Sequence, residues 1–443
     1  MEGRTELDAI ELPTLSYFPG PSRSIWPRSM RTRTQTRTVE QVGASRLKRV
    51  EYVSIAALMW GMFLMGWNDG TAGPLLPALQ RNYHVGFAIV SLVFVANGVG
   101  FVSASIANVS IAQKVGFGKT LFIGSLAQLV AYAVQCSAPP FPVFALAYVA
   151  SGAGVSLQLA QIMDFAVSLN KNADLKMAIL QASYGVGALC SPLVATQFAA
   201  MSNRWSFHFL VSLGCALINT VSLAIVFRFK PLNDVLEKAG QTIRPASTSQ
   251  GNRYAQIFRL KVVHFLAFFI FAYVGVEVAL AGWIVTFVMD ERGGGSSSGY
   301  LTSGFFGGVT VGRLCLLWLN RLVGERRVIW LYILLSIGLE ITIWLVPSLI
   351  ANAVAVSFIG VFLGPIYPIV MSITGRLIPH WLMSGAIGWI AGFGQAGTAV
   401  VPFVTGAMAS KFGVMSLQPL IVTILAIMVG LWAAVPPDQQ RSD

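Results

Sequence analysis

Apolar residues dominate the chain from about residue 52 to residue 434, in long runs separated by short polar stretches. A helix needs about 20 apolar residues to cross a ~30 Å hydrocarbon core. Runs of that length predict twelve spans, near 52–73, 87–107, 119–138, 142–168, 177–201, 205–227, 263–288, 299–319, 328–346, 348–371, 385–408 and 414–434. Lipid offers no partner for a bare peptide group, so such runs read as helices and the chain as an all-α integral membrane protein. The longest polar interruption, KPLNDVLEKAGQTIRPASTSQGNRYAQIFRL from Lys230 to Leu260, divides the spans six and six. The organisation expected is a basic unstructured tail at 1–51, a six-helix bundle at 52–229, a linker at 230–260, a second six-helix bundle at 261–434 and a tail at 435–443. No stretch between spans is long enough for a soluble catalytic domain. No enzyme activity, catalytic residue or cofactor is therefore expected.

The two halves repeat each other. In the second span Ala96, Gly100 and Ala104 form a stripe of small residues, and adding 208 reaches Gly304, Gly308 and Gly312 in the eighth. The same shift carries Gly116 to Gly324, and a shift of 210 carries Gly187 and Pro192 to Gly397 and Pro402. Six spans is an even number, so both copies enter the membrane in the same orientation. That is the parallel repeat of a two-bundle transporter. Small residues four apart let backbones approach closely, so spans 2 with 11 and 5 with 8 are expected to slide against each other.

Composition and charge agree with a membrane protein. Only 11% of residues are charged and 55% are hydrophobic, against roughly 25% charged in soluble domains. With both termini on one side, that side's loops carry 15 Lys or Arg: Lys114, Lys119, Lys171, Lys176, seven from Arg228 to Lys261, Arg321, Arg326, Arg327 and Arg376. The other side carries Arg81, Arg204, Arg292 and Lys411. The positive-inside bias puts both termini in the cytoplasm and accounts for the net charge of +12 without a nucleic-acid partner. The first 50 residues hold no apolar signal core, and Glu2, Glu6, Asp8 and Glu11 argue against a mitochondrial presequence. The plasma membrane is the expected location. The Thr-rich basic segment from Ser22 to Arg49 reads as disorder with positive-inside charge, or as an anionic-lipid contact that phosphorylation releases. Cys136, Cys190, Cys215 and Cys315 have neither zinc nor disulfide-framework spacing, and no metal is expected.

Few ionisable groups fall within the spans: Asp69, Asp164, Glu277, Arg313 and Glu340. Each costs at least ~2.5–3.5 kcal/mol to insert, so each calls for a partner or a task. Glu277 is mid-span, with Arg313 one helix away as its natural partner, and a purely structural pair is the rival account. Asp164 is expected to form a surface ion pair with Lys171 or Lys176. His208 and His264 lie near helix ends, where packing or interfacial roles are expected. Two short motifs carry no chemistry. GFGKT lacks the glycine a phosphate loop needs, Gln113 standing there, and GSSSG lies in a low-complexity run with no strand-turn-helix context.

The loops after spans 2 and 8 read AQKVGFGKT and NRLVGERR. They resemble the Gly-x-x-x-Asp-Arg/Lys-x-Gly-Arg/Lys-Arg/Lys signature of the major facilitator superfamily. Lys114, Gly116 and Lys119 match in the first copy, and Arg321, Gly324, Arg326 and Arg327 in the second. Gln113 and Asn320 stand where the signature has its acid. The resemblance implies that these residues form the gating loops and that helices 1, 4, 7 and 10 line a central cavity. NDG-x-x-GPLLP, YVGVEVALAGWIVTF, GYLTSGFFGGVTVGR and Gly-Pro-Ile-Tyr-Pro narrow it to the fucose:proton symporter family, especially fungal members of the bypass-of-stop-codon type. Asp69 matches the family's helix-1 acid. Asp69 and Glu277 are then the expected proton-coupling or substrate carboxylates, with Gly66, Gly70, Gly73, Pro74 and Pro77 weakening the end of helix 1. Asn68, Asn97, Gln158, Gln161, Trp283, Trp389 and Gln395 are the expected cavity lining, with interhelical packing the alternative for the amides and indoles taken singly; Gln158 and Gln161 share a face because they are three apart. Amides beside indole rings suit a neutral hydroxylated ligand.

The function this implies is secondary transport of a small polar solute, sugar-like and proton-driven, by a monomer in contact with membrane lipid. A transport-inactive sensor or a lipid- or drug-handling protein of the same fold is the alternative. The topology is open to direct test. In a background lacking the four native cysteines, an impermeant thiol reagent on intact cells should label Ser297→Cys and leave Ser247→Cys untouched. The reverse pattern contradicts it.

Overall fold

The computed structural model describes residues 28–169, 173–201, 204–239, 241 and 253–436. The expectations placed on residues 1–27, on Lys171, on most of the linker and on 437–443 lie outside them. The chain divides into two units, Met1–Lys48 and Arg49–Asp443. In the first, residues 28–48 are helical, where an unstructured tail was expected. Pro27 stands just ahead of a stretch free of Pro and Gly as far as Gly43, a start and a run that helices tolerate.

Among the described residues every regular element is helical. Eleven helices are long and apolar enough to cross a membrane, and a bent pair makes a twelfth. We number them α1 (Leu47–Tyr83), α2 (Phe87–Asn108), α3 (Phe117–Cys136), α4 (Phe141–Val167), α5 (Leu175–Ala199), α6 (Phe207–Phe227), α7 (Lys261–Glu291), α8 (Ser296–Cys315 with Leu317–Val323, bent by 55°), α9 (Glu325–Leu345), α10 (Leu349–Leu377), α11 (Gly385–Phe412) and α12 (Val414–Ala434). The twelve expected spans are all present.

The largest departure is at α1. Its helix was expected to fail near residue 73, yet it runs through Pro74 and Pro77 to Tyr83. A membrane helix tolerates proline where neighbouring helices, side chains and local adjustments re-satisfy the freed backbone groups. The glycines serve close approach instead of weakness: a Cβ at Gly66 would strike the Tyr184 carbonyl on α5, and one at Gly73 would strike the Ala281 carbonyl on α7. Asp69 thus stands 83 − 69 = 14 residues before the helix end, about 21 Å at 1.5 Å per residue. It is a mid-helix group, not one at a helix end.

The repeat holds at the level of contacts. A Cβ at Gly100 of α2 would strike the carbonyl oxygen of Val149 on α4; adding 208 to both gives Gly308 of α8 against Ser357 on α10, with the same collision. Gly152 faces the Asn97 carbonyl and Gly360 the Phe305 carbonyl, again 208 apart on both sides. This corrects one expectation. α2 does pack on α11 and α5 on α8, but the stripe residues Gly100, Gly308 and Gly312 face partners within their own half. The surfaces between halves use other positions: Gly98 against Ala399, Gly185 against Thr310, and Gly307 against Leu189.

The halves meet mainly at one end. Among the described residues, the hydrogen bonds that join them run from Ala88 N to Ser410 Oγ (3.0 Å), from Ser303 Oγ to the Leu189 carbonyl (3.1 Å), and between Gln197 and Tyr300. All three lie on the side away from the chain termini. Toward the terminal side, Gly388 and Gly392 of α11 have open space where a Cβ would project, and Ile106 of α2 is 77% exposed. On the side where α1 begins and α12 ends, no hydrogen bond joins the halves among the described residues.

The contact symmetry predicts matched damage. Gly100→Leu and Gly308→Leu should each cost about 1–3 kcal/mol through overpacking, read as equal falls in melting temperature of the purified protein. Gly338→Ala, with nothing within 4 Å, should be neutral or stabilising by up to ~1 kcal/mol. Damage at one glycine of the pair alone contradicts the repeat.

Candidate functional site

The shift that superposes the glycines also superposes the two central acids, since 69 + 208 = 277. Asp69 on α1 and Glu277 on α7 occupy one position of the repeat, and each half meets its acid differently. In the N-terminal half Tyr184 of α5 donates its hydroxyl to Asp69 Oδ2 at 2.8 Å, and the Asn68 amide reaches Oδ1 at 3.4 Å. Asn68 is held in turn by Ser151 Oγ of α4 (2.9 Å) and Tyr132 OH of α3 (3.2 Å), both donating to its Oδ1. Trp67 and Thr71 on either side are pinned to α5 and α6. The Trp67 indole donates to Ser212 Oγ at 2.8 Å, and Thr71 Oγ1 lies 2.8 Å from Ser191 Oγ and 3.0 Å from His208 Nε2. The acid thus sits on a stretch of helix whose rotation is fixed.

In the C-terminal half the counter-charge is a cation. Glu277 lies 4.0 Å from Arg313 of α8, with 9% and 21% of the two side chains exposed. Arg313 Nε also donates to the Gly364 carbonyl at 3.2 Å, in the break of α10. The sequence explains why that carbonyl is free. Residue 368, which would donate to it in a continuous helix, is a proline. The Gly-Pro-Ile-Tyr-Pro stretch therefore breaks α10 and supplies an acceptor that orients Arg313. Tyr184 is within electrostatic reach of Asp69, Glu277 and Arg313, so the two half-sites form one constellation. Tyr273 and Tyr367, with ring centroids 6.4 Å apart, border it on the α7 and α10 sides.

The expected lining is dispersed. Gln158 is fully buried, donating to Gln128 Oε1 (2.6 Å) and accepting from Asn219 (2.8 Å), so its amide joins α3, α4 and α6. Gln161 donates to Asn108 at 3.0 Å and is 4% exposed. Trp283 is fully buried and donates to the Pro402 carbonyl at 3.0 Å. Trp389 packs edge-on to Phe258 at 4.7 Å, at the terminal-side end of α11. Asn97 and Gln395 are half-buried on α2 and α11, and Asn97 packs against Gly152 of α4. Asn68 is buried and acts on Asp69. Asp164 is exposed, and the lysine expected to pair with it, Lys176, pairs with Glu51. His264 Nε2 donates to the Phe258 carbonyl near a helix end, whereas His208 is fully buried and stacks on Trp67 at 5.4 Å.

Both gating loops tie down the last helix of their own half. Gly116 and Gly324 take φ of +91° and +89°, which favours glycine. The next turn of the first loop donates from Gly118 N to the Lys230 carbonyl at 2.9 Å, just past α6. In the second, Arg326 donates to the Val435 and Pro436 carbonyls just past α12. Lys114, Lys119, Arg321 and Arg327 are exposed. Asn320 is buried and accepts from Tyr332 at 2.6 Å; Gln113 is exposed. Glu325 pairs with Arg376.

A twelve-helix fold of two repeated bundles with charged groups at their junction is that of a secondary transporter. The chain belongs to the Major Facilitator Superfamily, whose pattern matches residues 58–339. Its members here are transporters, not enzymes, and the chain is a multi-pass integral membrane protein. It is 23% identical over 413 residues to Bypass of stop codon protein 6 of Saccharomyces cerevisiae, covering 87% of this chain and 82% of that one. To the glucose/mannose transporter GlcP of Bacillus subtilis it is 21% identical over 378 residues, covering 83% and 91%. Among solved structures, a bacterial homologue of the lysosomal transporter Spinster, in an inward-facing conformation, superposes with a TM-score of 0.72 at 12% identity, covering 86% and 96%. The Escherichia coli fucose:proton symporter FucP gives 0.61 at 15% identity, covering 87% and 99%.

Sequence reading missed Tyr184, Tyr132 and Ser151, whose partners lie 115, 64 and 83 positions away with no local pattern to flag them. The equivalence of Asp69 and Glu277 was legible, because the glycine shift already contained it. Glu277→Gln should leave Arg313 uncompensated and cost about 3 kcal/mol, the low end for a broken buried pair since Arg313 is a fifth exposed. The double variant Glu277→Gln, Arg313→Met should recover most of that loss in a thermal-shift measurement. A single variant as stable as the parent contradicts the pairing.

Proposed function

We propose that the protein is a proton-coupled transporter of a monosaccharide-like solute in the plasma membrane, with both termini cytoplasmic, in which Asp69 carries the coupling proton. The observation that carries this reading is the pair of repeat-equivalent acids at the junction of the halves, one held by neutral donors and one by a cation. An acid whose partner is a permanent cation stays charged. Asp69, held by a tyrosine and an amide, has no such lock and is the one free to gain and lose a proton.

The geometry links that proton to bundle movement. Ionised Asp69 accepts from Tyr184; protonated, it no longer offers the charge that orders the phenol. Tyr184 is followed by Gly185, which packs against Thr310 of α8 across the interface between halves. One turn further along α8 is Arg313. Proton loading at Asp69 therefore acts on the α5–α8 surface at the level of the Glu277–Arg313 pair. That the hydrogen bonds between the halves lie toward the other end supports, with cytoplasmic termini, an inward-facing state.

Tyr184 and Tyr367, both half-buried, offer aromatic faces and hydroxyls to a hydroxylated ring, and Arg313 and Glu277 offer charged donors and acceptors. The two hexoses for which the relative GlcP is named, glucose and mannose, support this class. Uptake of labelled hexoses and 6-deoxyhexoses into proteoliposomes tests it. An inwardly directed proton gradient should drive accumulation that a protonophore abolishes. Equal uptake without the gradient contradicts the coupling, and no uptake of any sugar contradicts the solute class.

A further inference from the structure

Glu340 of α9 is fully buried, and neither carboxyl oxygen has a hydrogen-bond partner. The repeat shows what the N-terminal half does at this position. Subtracting 208 gives Tyr132, whose hydroxyl reaches Asn68, the neighbour of Asp69. The residue of α7 that matches Asn68 is Val276, which has no polar side chain to receive it. The C-terminal half thus keeps a polar group at the position and has lost its partner.

A second group shares this pattern. Gln418 of α12 is fully buried with both amide atoms unpartnered, and α12 packs on α9. At the shift of 210 that relates α5 to α11, Gln418 corresponds to His208, which holds Thr71 of α1. The C-terminal counterparts of two residues that anchor α1 are therefore both unsatisfied.

Among the described residues no cation forms an ion pair with Glu340. α12 carries no titratable side chain from Leu417 to Ala434. α10 carries Tyr367 and Arg376, the latter paired with Glu325 at the opposite end of α9, and the far piece of α8 carries Arg321, which is exposed. On α7 Glu277 already has Arg313, and Arg292, just past the end of α7, spends its guanidinium on the Ile343 and Trp344 carbonyls of α9, about one turn from Glu340, without bonding either carboxyl oxygen. On α9 itself the remaining titratable groups, Glu325, Arg326, Arg327 and Tyr332, lie two or more turns toward the other end. A carboxylate removed from water and from every partner neutralises.

We propose that Glu340 is a second proton-binding carboxyl of the C-terminal half, separate from Glu277 and protonated in this conformation, and that its proton exchanges during transport. The exchange rests on the proton-coupled reading above; the protonation does not. Infrared difference spectroscopy of the purified protein in lipid nanodiscs tests protonation without any solute. Subtracting E340Q from the parent at neutral pH should isolate one protonated-carboxyl band that shifts in heavy water. An unchanged carboxyl region overturns the proposal. If E340Q does not fold, Glu340→Asp carries the same test, since its band moves in frequency. For exchange, E340Q should shift the pH of half-maximal gradient-driven sugar uptake while leaving counterflow intact; an unshifted profile overturns that part. A lost band with no gradient-driven uptake in the parent keeps the site and removes the coupling.

Discussion

A carboxylate inside a membrane has to be met by something, and this protein meets the same carboxylate twice. Asp69 and Glu277 hold one position of a repeated fold, so the twofold architecture brings both to the plane where the halves join. The N-terminal half answers with neutral donors, Tyr184 and Asn68. The C-terminal half answers with Arg313. On that difference in partner, set on a background of equivalent backbone, rests the proposed division of roles, with Glu277 held as an ion by Arg313 and Asp69 exchanging the proton. The rest of the site is arranged to hold these groups in register.

Backbone chemistry does much of the holding. Glycines bring α2 against α4 and α8 against α10 at a separation that no side chain would allow, so each half is rigid within itself. The halves touch through fewer polar links, at the end away from the termini. Rigid halves with a thin polar seam are what rocking about a fixed central site requires. Proline acts at a second level. Pro368 removes the donor that Gly364 would otherwise have, and the freed carbonyl turns Arg313 toward Glu277.

The fold was legible because hydrocarbon imposes a length and an apolar composition that a reader can count, and because the repeat preserves glycines wherever backbones touch. Glu277 and Arg313 were legible as a pair for the same reason: few charges exist in the spans to choose from. Asp69 was placed too near a helix end because Pro74 and Pro77 read as breakers; the helix runs through both, whereas the Gly-Pro-Ile-Tyr-Pro stretch does break α10. The polar lining was the least legible part. Gln158 and Trp283 look like ligand groups in a linear reading, but an amide or indole in a membrane is as readily consumed by a neighbouring helix. Which neighbour consumes it depends on residues 61 and 119 positions away. Tyr184 is the converse case, an unremarked residue that α5 brings to within 2.8 Å of Asp69.

The division of roles between the two acids is the central claim, and one comparison tests it most directly. Asp69→Asn and Glu277→Gln are reconstituted side by side, and each is assayed for gradient-driven accumulation and for counterflow exchange of the same sugar. Asp69→Asn should lose accumulation and keep counterflow, because the neutral side chain mimics a permanently protonated acid. Glu277→Gln should lose both, because Arg313 is left without its ion. Accumulation by Asp69→Asn equal to the parent's, or intact counterflow in Glu277→Gln, would contradict the account.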